Sequence, residues 1–451
     1  MQGLTEQLSD FIANARHRPV PDALLDRVRN GFIDTVGVML AGQDEPVVQV
    51  VRAFVAARPA SSQEARVLMS ATRTAARDAA LINATAGHAL DYDDVGLMGH
   101  PSVVLVPALL AEGERLHASG AALLRAYLVG YEVWAELIGR DQARHHDKGW
   151  HPTAVFGVMA VASAVAALRG LEAGPCRHAL GIAASMASGL IANFGSMTKP
   201  FHAGQAAAHG IDAVNLAQAG MTAAPDALEH HAGYLAALSP SGQVDRGPMA
   251  VDAARPLRFA ATGLTVKKYP MCFATHRVLD AMLDLVRAHD LRPDQVQTVR
   301  ATVGVTQAAM LRNHLPRTGL EAKFSLEFAV AAALVARKVG LAELSDAFVL
   351  RPEVQALFPR VQIVTTDTLC PSEPTLALSD RVVIETTDGA CFDSGEIFET
   401  RGGMAAPLTL EDLKIKFMDC TARLGTAGQT GLFERLVRFD ALHDVNTLLP
   451  D

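Results

Sequence analysis

Four short stretches of this chain combine residue types that can move protons or hold anions. The densest is His88-Ala89-Leu90-Asp91-Tyr92-Asp93-Asp94, followed closely by His100-Pro101-Ser102. Three carboxylates so close together repel one another, and such a group persists when its members are hydrogen-bonded, paired or used in chemistry. The bland alternative is a solvated loop leading to an aspartate-capped helix. Asp and His are also metal ligands, but one local cluster without a second, sharply spaced set is a weak metal signature.

Gly149-Trp150-His151-Pro152-Thr153 stands before an apolar helical run, with Pro152 suited to a first helical turn. His151 would then lie near helix-terminal N–H groups, which favour a neutral imidazole and a nearby anion. Read by itself, it is a capping or packing residue. Thr198-Lys199-Pro200-Phe201-His202 interrupts an apolar region, and Lys199 and His202 beside a proline make a rigid cationic feature able to hold a carboxylate. A second such feature, Lys267-Lys268-Tyr269-Pro270, precedes Cys272 and His276.

The elements that must position these residues follow from periodicity. Up to about residue 260, Ala, Leu and Val recur in helical runs broken by Gly and Pro, which predicts an all-helical region whose small side chains allow close packing. After Pro256 the pattern changes. Gln295 to Val305 alternates, Val361 and Ile363 begin a second alternation, and Arg381 to Thr387 meets the segment from Ala390 across Asp388-Gly389 as a hairpin. Ser325 to Lys338 reads as a helix closed by Gly340. Thr409 and Asp412 are spaced as a capping box, and Gly425 stands where that helical run would end. The expected organisation is a mainly α protein: a large helical domain of residues 1–262 and 402–451, and a smaller α+β lid domain of residues 263–401.

Composition narrows the function. With 451 residues, half of them apolar and a fifth charged, the chain can bury two substantial cores. A net charge of −8 argues against nucleic acid or an anionic membrane as partner, so an anionic substrate needs a local cluster of positive charge. The five cysteines are scattered, contain no C-x-x-C pair and fit a reducing cytoplasm. Neither 154–168 nor 179–198 reads as a membrane span, the first being short and the second interrupted by polar residues. The absence of a strand-G-x-G-x-x-G-helix unit or a P-loop removes the usual nucleotide readings, and no organic cofactor or required metal is expected.

Taken in order, HALDYDD, GHPS, GWHPT, SMTKPFHAGQAAAHG, KKYPMCFATH and EAKFS closely resemble the MmgE/PrpD family from about residue 5 to residue 435. The resemblance implies a large all-helical domain with a smaller α+β lid, a homodimer, and a small di- or tricarboxylate substrate handled without a cofactor. Family branches include 2-methylcitrate dehydratase, cis-aconitate decarboxylase and iminodisuccinate epimerase. Carried over by motif, Asp91, His100, His151, Lys199 and Cys272 are the expected catalytic residues. Lys267, Lys268, His202 and Thr198 are expected to bind substrate. The lysines and histidines would neutralise carboxylates and stabilise an enediolate-like intermediate while a histidine or Cys272 takes the proton. A lyase is the first expectation. An epimerase, with Cys272 opposing a His or Lys, is the alternative, and a non-catalytic binding protein of the same fold is a third. The decarboxylase branch carries histidine where this chain has Cys272 and threonine where it has Val95. The dehydratase branch carries an Arg-Asp-His-type string where this chain has Ala322-Lys323-Phe324-Ser325. Cys272 itself reads either as an acid/base group or as a small packing residue.

Overall fold

The computed structural model describes residues 2–58, 62–249, 256–371, 373 and 375–449. The chain divides into two compact units, Met1–Thr265 with Cys420–Asp451, and Val266–Asp419. The fold is mainly helical, and among the described residues no helix is long and apolar enough to cross a membrane.

The first unit contains α1 (Leu4–Asn14), α2 (Asp22–Ala41), α3 (Pro46–Ala56), α4 (Ala76–Ala89), α5 (Pro101–Leu116), α6 (Gly120–Ile138), α7 (Pro152–Val155), α8 (Gly157–Leu168), α9 (Ala173–Met186) and α10 (Thr198–Gln218). A two-stranded ribbon, β1 (Ala65–Arg66) with β2 (Arg73–Thr74), lies between α3 and α4 in the chain. Helix α10 packs on α4, α8 and α9, and its small residues make that possible. A Cβ on Gly204 would stand 2.4 Å from the Leu81 carbonyl of α4, and one on Gly210 would stand 2.5 Å from Val161 of α8. Side chains larger than hydrogen would push these backbones apart, so the Ala/Gly richness is a packing requirement. Phe32, Tyr127, Tyr131, Trp134, Phe156 and Phe259 fill the remaining core.

The second unit is built on a four-stranded sheet of order β4-β3-β5-β6: β3 (Val296–Gly304), β4 (Val361–Thr366), β5 (Arg381–Thr386) and β6 (Cys391–Asp393). Strands β3 and β4 are parallel, and β5 is antiparallel to both β3 and β6. Val299, Ala301 and Val303 bury one face of β3 as the alternation requires, with Ala301 paired to Ile363 and Val382. The β5–β6 hairpin turns at Gly389, whose φ of 86° suits glycine. The helices His276–Ala288 and Leu326–Ala336 pack against each other and share the sheet's core.

Three expected boundaries move. The Leu326–Ala336 helix starts where Ser325 accepts from the Phe328 N–H, but it ends at Arg337 in the left-handed region (φ 56°), before Gly340. The capping box holds, with Thr409 and Asp412 exchanging backbone-to-side-chain bonds at the start of Leu410–Cys420. This helix nevertheless falls almost wholly in the second unit, where Lys268 Nζ lies 3.1 Å from Asp412 and Leu341 N donates to Asp419 at 2.9 Å. The return to the helical unit is therefore at 420 and not at 402. Gly425, expected to end that run, begins the next helix, Gly425–Val437.

Candidate active site

Four segments of the first unit converge through their helix ends. Helix α4 delivers His88 in its last turn, and the chain from Leu90 to Gly99 then runs to α5, which His100 precedes as N-cap with Pro101 as first helical residue. His151 takes the same position before Pro152 on α7. Lys199 lies in the first turn of α10 and His202 at the start of its second. The α5 and α10 N-termini bring partial positive charge, which favours a nearby carboxylate, although at α10 the Thr198, Lys199 and Phe201 N–H groups are already bonded within the chain and Pro200 has none.

The loop between α4 and α5 is held in unusual backbone. Asp91, Leu97 and Met98 all have positive φ, at 52°, 50° and 58°. Gly96 and Gly99 exchange two 2.9 Å backbone bonds around Leu97-Met98, the arrangement of a tight hairpin whose two central residues must be left-handed. Neither is Gly or Asn, so the surrounding structure sustains the strain. Thr153 of α7 ties the loop down, its hydroxyl accepting from His100 N at 3.1 Å.

The three carboxylates of this loop are stabilised in three different ways. Asp91 pairs with Lys199, Nζ to Oδ1 at 2.8 Å. Asp93 is fully buried and lies 2.9 Å from His88 Nδ1 and 3.0 Å from His100 Nδ1. Burial alone would raise the Asp93 carboxyl, but the two imidazoles hold it well below the usual range. Asp94 takes the opposite course: burial, then the nearby Asp34, push it up to about 8, while the Ser102 hydroxyl donates to it. Asp94 is thus neutral near pH 7, and Asp93 is the ionised member of the buried pair.

Asp93 fixes the chemistry of both rings. An ionised carboxylate accepts, so His88 and His100 each place the proton on Nδ1 and leave Nε2 unprotonated. His100 Nδ1 also lies 2.8 Å from the Asp94 carbonyl. His88 is drawn down to about 4 by burial, with Asp93 opposing, and the two rings meet edge to face at 4.6 Å between centroids. His100 Nε2 lies 4.0 Å from Asp91 Oδ1, and the ring remains partly exposed. Nearby, His151 and His202 share one hydrogen bond at 3.2 Å between their Nδ1 atoms. Burial, reinforced by neighbouring positive groups including Lys199, lowers both, so each is neutral, one donating and one accepting. Phe194 packs edge to face on His151 at 4.9 Å and lies 5.4 Å from Lys199 Nζ.

Of the expected site residues, Asp91, His100, His151, Lys199 and His202 are therefore brought together in the first unit, with Thr198 adjacent at the start of α10. His151 caps no backbone group with its side chain, so the capping half of its bland reading fails, while its burial against Phe194 agrees with the packing half. Cys272, Lys267 and Lys268 belong to the second unit. There Cys272 is half-buried at the start of a short turn, with its N–H donating to the Lys323 carbonyl at 3.0 Å. Lys267 is buried, and Lys268 is paired with Asp412. Two residues of the cluster, His88 and Asp93, stand in the quoted string without having been singled out. The signal for them is a histidine in a helix's last turn followed five residues later by an aspartate across a tight bend.

The MmgE/PrpD N-terminal domain matches residues 6–246, and the MmgE/PrpD C-terminal domain matches residues 269–438. The chain belongs to the MmgE/PrpD family. Its relatives include the cis-aconitate decarboxylase of Mus musculus, 28% identical over 434 residues, covering 92% of this chain and 86% of the mouse protein. The Homo sapiens cis-aconitate decarboxylase is 28% identical over 431 residues, covering 92% and 87%. That of Aspergillus terreus is 25% identical over 474 residues, covering 99% and 95%.

Proposed function

We propose that this MmgE/PrpD protein is a cofactor-free lyase that transfers a proton at a carbon next to a carboxylate of a small tri- or dicarboxylic acid. The observation that carries the proposal is the bond of one buried carboxylate, Asp93, to two imidazoles. It sets both tautomers and leaves the unprotonated Nε2 of His100, the more exposed of the two rings, beside the Lys199–Asp91 pair. The cis-aconitate decarboxylases among its relatives support a tricarboxylate as substrate class and lyase as reaction class.

In this reading a substrate carboxylate takes Lys199 from Asp91, and His100 Nε2 faces the reacting carbon. For an elimination, His100 accepts the carbon-bound proton as the leaving group departs. For a decarboxylation, protonated His100 delivers a proton to carbon as carbon dioxide leaves. Asp93 stabilises the imidazolium in either case without taking the proton itself. The neutral His151–His202 pair offers one N–H donor and one acceptor to oxygens of the substrate. A homodimer and a cytoplasmic setting belong to the same reading.

Purified protein mixed with cis-aconitate, and in parallel with citrate-, methylcitrate- and aspartate-like acids, is followed by proton NMR in D2O. The lyase reading expects a new or relocated vinylic signal with loss of substrate. Deuterium appearing at a stereocentre of an unchanged skeleton would replace it with the epimerase reading, centred on Cys272. No change with any acid, under conditions where the protein is folded, would leave a binding protein.

A further inference from the structure

Phe194 is a large ring that the core leaves half outside. It is 42% exposed and stands in the short segment that leads from α9 into α10. Single exposed apolar side chains are common on protein surfaces, so exposure by itself decides nothing. Its neighbours do. Three groups able to carry charge face the ring, each from a different segment: Lys199 Nζ of α10 lies 5.4 Å from its centroid, and the His151 ring ahead of α7 lies at 4.9 Å with an interplanar angle of 83°. The third, His146 of the His145–Lys148 turn, lies at 6.4 Å and 73°.

This placement is built into the backbone. Ile191 N donates to the Gly149 carbonyl and His151 N donates to the Gly189 carbonyl, both at 3.0 Å, so the segment carrying Phe194 is fastened to the one carrying His151. Phe194 N closes its own turn by donating to the Ile191 carbonyl at 2.9 Å. Gly189 permits the close passage: its φ is 137°, and a Cβ there would stand 2.5 Å from the Ala154 Cβ. An ammonium within about 6 Å of an aromatic face is attracted to it, so Lys199 has Phe194 as a neighbour besides Asp91. A substrate carboxylate that takes Lys199 from Asp91 leaves the contact with the ring in place. The edge-to-face contact with His151 meanwhile covers an imidazole that is 2% exposed.

We propose that Phe194 is a positioning residue of this site, whose ring holds the Lys199 ammonium for a substrate carboxylate and shields the His151 imidazole from water. The kinetic consequence rests on the lyase reading, whereas the placement stands on the geometry. Burial is the first cause that keeps His151 neutral, and His88 of α4, Lys199 and His202 of α10, and His100 ahead of α5 act on it in the same direction. Losing the ring weakens the first cause and leaves those four groups in place.

Phe194→Leu removes the aromatic face but keeps an apolar side chain, while Phe194→Tyr keeps the face. Melting temperatures identify any misfolded variant. With cis-aconitate, or whichever of the acids above is turned over, Phe194→Leu should lower kcat/KM by roughly two- to thirty-fold, the range of one cation–π contact. The loss should fall on the same parameter that Lys199→Met alters, should be restored in Phe194→Tyr, and should add little in the Lys199→Met background. Independently of turnover, histidine-ring NMR with His151 assigned through His151→Gln should show this ring neutral from about pH 8 to 5 in wild type and beginning to protonate there in Phe194→Ala. Normal kinetics in a folded Phe194→Leu, an equal loss in Phe194→Tyr, or full additivity with Lys199→Met overturns the hold on Lys199. A His151 titration unmoved in Phe194→Ala overturns the shield. Inactivity of the wild type towards every acid tested would sink the lyase reading, and the NMR result would still decide for or against the placement of Phe194.

Discussion

His88 in the first unit and His276 in the second are the same residue in nearly the same degree of burial, and they end in different states. Burial pulls His88 down to about 4 against the opposing pull of Asp93, while burial pulls His276 down to about 3 with Lys267 and Lys416 adding to it. His276 meets backbone groups of Met271, whose carbonyl lies 3.4 Å from Nε2, and of Tyr269, and its Nδ1 has no partner among the described residues. His88 has a carboxylate shared with a second imidazole. Burial by itself makes a histidine an apolar-like packing residue; a buried carboxylate behind it gives it a fixed tautomer and a directed lone pair. What separates chemistry from packing here is the partner, not the ring.

The largest effect should come from removing that partner. Asp93→Asn keeps the volume but loses the charge that orients His88 and His100, and kcat should fall by roughly 10²–10⁴-fold, the range expected for lost general acid–base catalysis. The check is turnover measured beside the melting temperature. Loss of activity with intact folding supports the distinction, and full activity would break it.

Lys199→Met tests the cation beside the cluster. It deletes one charge-assisted hydrogen bond of about 1.5–3 kcal/mol, or roughly ten- to hundred-fold in kcat/KM. If Lys199 grips substrate equally before and during reaction, the loss lies in KM; if it supports an enediolate, kcat falls too. Unchanged kinetics would show that the Lys199–Asp91 pair is structural.

The third test sharpens the comparison from the other side, through stability. The folded pKa of His276 is depressed, so the unfolded chain binds this proton below about pH 6.5 while the folded chain does not until about pH 3. Its contribution is therefore fully present above pH 6.5 and is lost as the pH falls towards 3. Urea midpoints of wild type should drop across this window, and His276→Gln should flatten the drop. A slope unaltered by the substitution would assign acid sensitivity to other groups.

These residues also mark how far sequence reasoning reaches. The β5–β6 hairpin and the Thr409–Asp412 capping box are legible because their signals are local and contained in a few residues. Within Asp91-Tyr92-Asp93-Asp94, by contrast, nothing local distinguishes the aspartate that pairs with Lys199 from the one that holds two rings. That depends on α5 and α10 arriving from elsewhere in the chain. The family resemblance brings Asp91, His100, His151 and Lys199 into view but leaves Asp93 unnamed. The boundary at 420 escapes for the same reason, because the contacts that attach Leu410–Cys420 to Lys268 and Leu341 are long-range.

The smallest effect compares two strained positions. Met98 and Arg337 both sit in the left-handed region, at φ 58° and 56°. Met98→Gly and Arg337→Gly should each relieve about 1 kcal/mol of backbone strain, partly offset by the greater freedom of glycine in the unfolded chain. Melting temperatures should therefore move little in either case. Only the substitution at Met98, in the loop that carries Asp93 and His100, should alter turnover.

That hairpin acts as a ruler. Its paired glycines set how much chain separates the carboxylate from the second imidazole, so its length constrains catalysis more strictly than its residue types do. Related chains should consequently tolerate exchange at Leu97 and Met98 far more readily than an insertion or deletion between Asp93 and His100, because one added residue would carry His100 out of the grasp of Asp93 while every reactive group was still present.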